Sequence, residues 1–181
     1  MMSLATILAC VLVADFVTGL VHWWEDTYAD PAWPWPWGLL VAQPNIAHHE
    51  HPTRFTMSDV WQRNYLTVVP AAITGAACGW FGWWPVALTL VLASLGNEVH
   101  AWSHQPHPHR LVRVIQDAGL VQSPRQHARH HKPPYDRYYC TLTNVVNALL
   151  EPLRFWRGLE WAVSSVTGIR PRRGSAERGG F

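Results

Sequence analysis

Twenty-one residues from Met1 to Val21, MMSLATILACVLVADFVTGLV, carry one charged side chain, Asp15, and lead directly into His22. At about 1.5 Å per helical residue the run matches the ~30 Å hydrocarbon core of a bilayer, so it reads as a membrane span. A cleaved leader would place basic residues before the apolar run and a small-x-small site after it, and this segment has neither. Charged residues make up only 14% of the chain, against roughly a quarter in soluble domains. Composition therefore agrees with a membrane solvent.

A second apolar block, Tyr65 to Gly96, is interrupted by Cys78-Gly-Trp-Phe-Gly-Trp-Trp-Pro85. Gly and Pro break helices and Trp favours the membrane interface, so the block reads as two helices joined by a tight turn. Its first arm, Leu66 to Cys78, is short for a span and is expected to recruit residues before Tyr65. None of the 14 Lys and Arg residues precedes Arg54 and none lies in the Trp-rich turn. With three embedded helices they all fall on one side, the cytoplasmic one by the positive-inside tendency. The expectation is an all-α, multi-pass membrane protein with interfacial and cytoplasmic helices, residues 1–169 forming one domain and 170–181 a basic, disordered tail.

The formal net charge of +2 and the lack of an aromatic-basic motif argue against nucleic acid. Cys10, Cys78 and Cys140 have no CxxC spacing and read as ordinary buried thiols. No phosphate-cradling glycine motif is present.

Nine of the 11 histidines fall into four clusters, all on the basic side of this topology: His22; His48, His49 and His51; His100 and His104; and His127, His130 and His131. His100 and His104 are i, i+4 on a helix continuing from the hairpin, with Asn97 one turn earlier as a supporting group. His127 forms i, i+3 and i, i+4 pairs with His130 and His131, and Pro133-Pro134 then ends the helix. Adjacent residues His48 and His49 point about 100° apart on a helix. So many imidazoles exceed the four ligands of a structural zinc site, and two metal ions are the simpler count. Haem fits poorly, because its ligands would lie inside facing spans rather than at their ends. His107 and His109 read as loop residues. Asp15, seven residues before His22 and on its face, is expected to contact polar groups beside the site, and Asp26 to orient an imidazole.

The strings DFVTGLVHWWEDT, HHEHPTRFTMSD, NEVHAWSHQ and HARHHKPPYDRYYCTLTNVVNALLEPL resemble, in the same order, the Kua/CarF family of membrane lipid desaturases. The resemblance covers about Asp15 to Trp156. It implies a histidine-rich di-iron enzyme that removes two hydrogens from a lipid chain with O₂ and electrons from a separate carrier, of ferredoxin or cytochrome b5 type. The ligands it implies are His22, His48, His49, His100, His104, His127, His130 and His131. Where the family has a histidine before Asp59 this chain has Ser58, and His51 is the candidate replacement. Pro44-Asn45-Ile46-Ala47 also departs from the family, which tends to have Phe-Arg-Glu there.

The substrate expected from the resemblance is a membrane phospholipid, first an alkyl-ether lipid gaining a vinyl-ether bond. The alternatives are an acyl-lipid desaturase or hydroxylase with the same iron site, and a non-catalytic histidine-rich metal-binding protein. The alkyl chain is expected among the apolar helices, with Arg54, Arg110 and Arg113 as head-group contacts. Asn144 to Trp161, apolar at i, i+3 and i+4, is expected to lie on the membrane surface and close over the site. Trp33 to Gly38, WPWPWG, reads as an interfacial anchor or a lid.

Overall fold

The computed structural model describes residues 2–172; Met1 and residues 173–181 lie outside the described residues, and with them most of the expected tail. The described chain is all helical, without strands. Helix α1, Leu4–Tyr28, starts where the Ser3 side chain accepts a hydrogen bond from Thr6 N and stops just before Asp30-Pro31. It is long and apolar enough to cross a membrane, and it is the one such helix among the described residues. Its Val13, Val21 and Trp24 are exposed.

After the exposed Trp33, Trp35 and Trp37, a π-helical turn, Gly38–Ala42, leads into α2, Gln43–Glu50. The turn can fold this tightly because position 38 is glycine: a Cβ there would lie 2.3 Å from the Trp33 carbonyl oxygen. A short α3, Pro52–Phe55, follows.

The hairpin is α4, Val60–Trp80, and α5, Trp84–Ser94. Asp59 caps α4 through Gln62 N at 2.9 Å, so the helix does begin before Tyr65. The turn exposes Trp80, Phe81, Trp83 and Trp84. It packs beside the start of α1, where Cys10 Sγ donates to the Pro85 carbonyl at 3.4 Å. All three cysteines are buried and free. Neither hairpin arm has both the length and the hydropathy of α1: α5 has 11 residues, and α4 opens with the polar Gln62, Arg63 and Asn64.

Helix α6, Gly96–His104, continues α5 almost without a break. It lies close to α1, since a Cβ on Gly96 would meet Thr18 Cγ2 at 2.8 Å. Glu98 and Trp102 take one face of α6, where Glu98 accepts from Arg63, Asn64 and Trp102. This knot ties α6 to α4. His100 and His104 are left on the opposite face, as 100° per residue requires.

Helices α7, Arg110–Asp117, and α8, Pro124–His130, come next, followed by an extended stretch, then α9, Val145–Leu150, and α10, Phe155–Thr167. The apolar pattern of 144–161 is therefore two helices, not one surface helix. Residues 151–154 interrupt it, and Arg154 takes a left-handed φ of 50°. The pattern also splits by face: Val146 and Trp156 are buried, while Val145, Leu149, Leu153 and Trp161 are exposed. Trp156 stacks on Phe16 and Trp23 of α1 and so covers the flank of α1 rather than the histidines. At the described end of the tail, Arg172 N donates to the Thr27 carbonyl at 2.7 Å.

Candidate metal centre

The extended stretch between α8 and α9 threads past α1 and fixes two of the imidazoles. Asp15, fully buried, accepts from Leu142 N at 2.9 Å and from the Thr143 hydroxyl. Thr18 Oγ1 accepts from Thr141 N at 3.2 Å. The strand-like segment comes so close that a Cβ on Gly19 would lie 2.5 Å from Cys140 Sγ. From the other side Asn147 brackets Cys140, accepting from its N–H at 3.0 Å and donating to its carbonyl at 2.7 Å. Asp15 thus ties this stretch to α1 through Leu142 and Thr143.

That stretch then presents two carbonyls. His22 Nδ1 lies 3.0 Å from the Tyr139 carbonyl, and His130 Nδ1 lies 2.8 Å from the Arg137 carbonyl. A carbonyl can only accept, so each Nδ1 carries a proton and each Nε2 is turned inward, where the neutral ring offers a lone pair. Both lone pairs face one carboxylate: Asp26 Oδ2 is 3.2 Å from His130 Nε2 and 3.7 Å from His22 Nε2. His49 Nε2 reaches Asp26 Oδ1 at 2.9 Å, and Asn45 Nδ2 donates to the same oxygen at 2.6 Å. Asp26 thus sits at the centre of a group with His22, His49 and His130, rather than at its edge orienting one ring. Asn45 comes from the stretch where the sequence departs from the family pattern.

A second group abuts the first. The ligand atoms of His48, His100, His104, His127 and His131 lie within 4.8 Å of one another, the same limit that holds for the Asp26 group. The groups touch ring to ring, with His22 and His100 centroids 5.2 Å apart and His130 and His131 5.3 Å apart. In this second group the Nε2 atoms form a chain: His48 to His131 at 3.1 Å, His131 to His127 at 3.1 Å, and His127 to His104 at 2.7 Å. Burial, reinforced by the neighbouring imidazoles, holds His48, His100 and His127 well below the ordinary imidazole pKa and takes His104 down to about 4. These rings are neutral at physiological pH, the form that binds a metal.

Both groups fit metal ions on their own chemistry. A neutral imidazole nitrogen offers one proton or one lone pair, so His131 Nε2 and His127 Nε2, each between two nitrogens, cannot satisfy both neighbours. In the Asp26 group, two inward lone pairs face a carboxylate oxygen. Accordingly His22 Nε2, His130 Nε2, Asp26 Oδ2 and His100 Nε2 are buried without a hydrogen-bond partner. A cation in each group would accept lone pairs from these nitrogens and oxygens and so remove the penalty of burying them unpaired.

Two cavities flank the groups. One, of about 760 Å³, reaches Asp26 and His49 past Glu25, Tyr135, Asp136 and Arg157. The other, of about 680 Å³, ends on His22, His48 and His100 and runs between α1 and the hairpin, walled by apolar residues such as Val17, Val21, Leu40, Leu66 and Leu90. The second lies among the apolar helices where the alkyl chain is expected; no sequence pattern points to the first.

Several other expected site residues lie elsewhere. His51 is exposed and belongs to neither group. It precedes Pro52, which disfavours helical backbone at the residue before it, and its φ of −136° takes it out of α2. Ser58 lies in the wall of the apolar cavity. Asn97 donates to the Arg63 carbonyl at 2.9 Å and lines that cavity instead of touching a group. Arg54, Arg110 and Arg113 are exposed and line neither cavity. His109 caps α7, accepting from Leu111 N, and His107 is exposed.

Residues 11–174 match the family model described as the lipid desaturase domain. The chain is 31% identical to a probable fatty acid desaturase of Acanthamoeba polyphaga mimivirus, covering 89% of this chain and 82% of that protein. It is 32% identical to the plasmanylethanolamine desaturase of Myxococcus xanthus, covering 94% of this chain and 63% of that protein. It is 31% identical to plasmanylethanolamine desaturase 1 of Mus musculus, covering 92% and 66%. The chain thus spans under two thirds of the bacterial and mouse relatives' length. No solved structure matches it. With the family model covering nearly the whole chain, including every residue of the two ligand groups, this protein belongs to the lipid desaturase domain family.

Proposed function

We propose that this chain is a multi-pass membrane di-iron lipid desaturase, with its metal site on the cytoplasmic side. The observation that carries the reading is the pair of adjoining groups of close-set ligand atoms, each with buried polar atoms left unpaired. One iron is assigned to His48, His100, His104, His127 and His131, the other to His22, Asp26, His49 and His130. When bound, the irons supply the oxidising power that removing hydrogen from an unactivated CH₂ requires. The overall change is –CH₂–CH₂– + O₂ + 2 e⁻ + 2 H⁺ → –CH=CH– + 2 H₂O. The electrons come from a separate carrier of ferredoxin or cytochrome b5 type.

The protein's own residues position and exclude. Tyr139 and Arg137 carbonyls hold the His22 and His130 rings with Nε2 inward. Apolar walls bring a hydrocarbon chain against His22, His48 and His100 and keep bulk water from that side. The membrane placement takes α1 and the α4–α5 hairpin as embedded. Its support is the exposed aromatic residues at both ends, Trp80, Phe81, Trp83 and Trp84 at the turn and Trp24, Trp33, Trp35 and Trp37 towards the histidines.

The substrate we assign first is an alkyl-ether phospholipid gaining a vinyl-ether bond, as the names of the bacterial and mouse relatives suggest. A second reading, an acyl-lipid desaturase, follows the name of the viral relative, whose length this chain covers best of the three. Lipid mass spectrometry of an iron-fed, donor-competent host expressing the chain separates them. An ether lipid two hydrogens lighter and acid-labile establishes the first; a new double bond only in acyl chains establishes the second. Neither change, with a working donor, refutes the desaturase reading.

A further inference from the structure

The apolar cavity has a floor. It follows α4 from Gln62 to Thr74, about 18 Å at 1.5 Å per residue. The hairpin register is fixed by Thr67 Oγ1 donating to the Ser94 carbonyl at 3.1 Å. About two turns further down, α4 and α5 approach closely: a Cβ on Gly75 would lie 3.6 Å from the Ala87 carbonyl oxygen. That contact closes the space between the arms. Just above it Ala71 and Leu90, both partly buried, line the cavity from the two helices. Within α4, Pro70 has no N–H to give the Leu66 carbonyl, and both residues line the same cavity.

Resting on the desaturase reading, we infer that this cavity holds the lipid chain with its terminal methyl in the last turn lined by Ala71, Thr74 and Leu90, where Ala71 and Leu90 set the chain length accepted. The position follows from the ends of the cavity. The reacting carbons must reach His22, His48 and His100, and the remaining chain has room along α4 towards the hairpin turn. An extended chain advances roughly 1.2 Å per bond, three bonds spanning one extended residue, so about 18 Å admits about fifteen bonds. The volume of about 680 Å³ falls within the roughly 300–1,000 Å³ usual for ligand pockets. A floor built from a small residue and a branched one leaves room that a larger or smaller side chain would change.

Two measurements test this. First, chain preference is read by offering equal amounts of dodecyl-, tetradecyl-, hexadecyl- and octadecyl-ether phosphatidylethanolamine, with the matching acyl lipids in a parallel arm. Ala71→Phe should lower the hexadecyl-to-dodecyl product ratio by roughly tenfold or more, and Leu90→Ala should shift preference towards octadecyl. Second, the unaltered protein in lipid nanodiscs is photolabelled with a hexadecyl-ether phosphatidylethanolamine carrying a diazirine beside its terminal methyl. Label on residues 66–74 and 87–94 supports the placement without depending on turnover or on the folding of a variant. Label on α7 or α10, or active variants with unchanged chain preference, overturns it. Label at the floor in a protein that desaturates neither ether nor acyl lipid refutes the catalytic reading while upholding the chain site.

Discussion

The two ligand groups lie ring against ring yet are assembled by different means. The Asp26 group is held from outside: backbone carbonyls of Arg137 and Tyr139 set the His130 and His22 rings, and Asn45 steadies the carboxylate. The five-imidazole group has no such carbonyls among its described contacts. Its rings meet chiefly one another, and His48, His127 and His131 each have a buried Nδ1 without a partner. One half is preorganised around a negative charge, whereas the other is a neutral cage whose geometry depends on what it binds. Preorganised ligands keep their positions when the ion leaves; a mutual cage does not.

The largest effect should come from breaking the cage at its middle. His127→Ala removes the nitrogen between His104 and His131, and desaturation should fall at least ~100-fold in the lipid assay while the protein still inserts. Asp26→Asn sharpens the contrast, because it keeps the shape of the other group and removes its charge. A loss of about 10–100-fold in iron affinity at that group is expected, read by chelator competition, with the cage's iron retained. An equal loss of both ions would break the distinction between the groups.

Asp15→Ala acts one layer away. It strands Leu142 N–H and the Thr143 hydroxyl, costing about 1–3 kcal/mol in thermal denaturation of the detergent-solubilised protein. Because the same stretch carries the carbonyls that set His22 and His130, activity should fall with it and iron should loosen first in the Asp26 group. The smallest effect belongs to His51→Ala. This exposed residue outside both groups should change stability by no more than about 0.5 kcal/mol and leave iron content as in the wild type.

The cage was the more legible half. His100 with His104 and His127 with His131 are spaced at one helical turn, and the structure brings both pairs together with His48. The hairpin and the extension of α4 before Tyr65 were equally readable from breakers and tryptophans. The Asp26 group was readable only in its members. That Asp26 stands at its centre follows from where the 137–143 stretch crosses α1, a long-range contact through Asp15, Thr18 and Gly19 that no local period encodes. His51 looked like a ligand alongside His48 and His49 because spacing ignores how a following proline redirects the backbone. The division of 144–161 into α9 and α10 depends on Arg154 taking a conformation that its side chain does not announce.

The most direct measurement is iron per chain, by inductively coupled plasma mass spectrometry on protein purified from an iron-fed host, for the wild type, His127→Ala and Asp26→Ala side by side. The account expects close to two irons in the wild type and about one in each variant. Wild type with no bound iron, or variants that both keep the full complement, would contradict it.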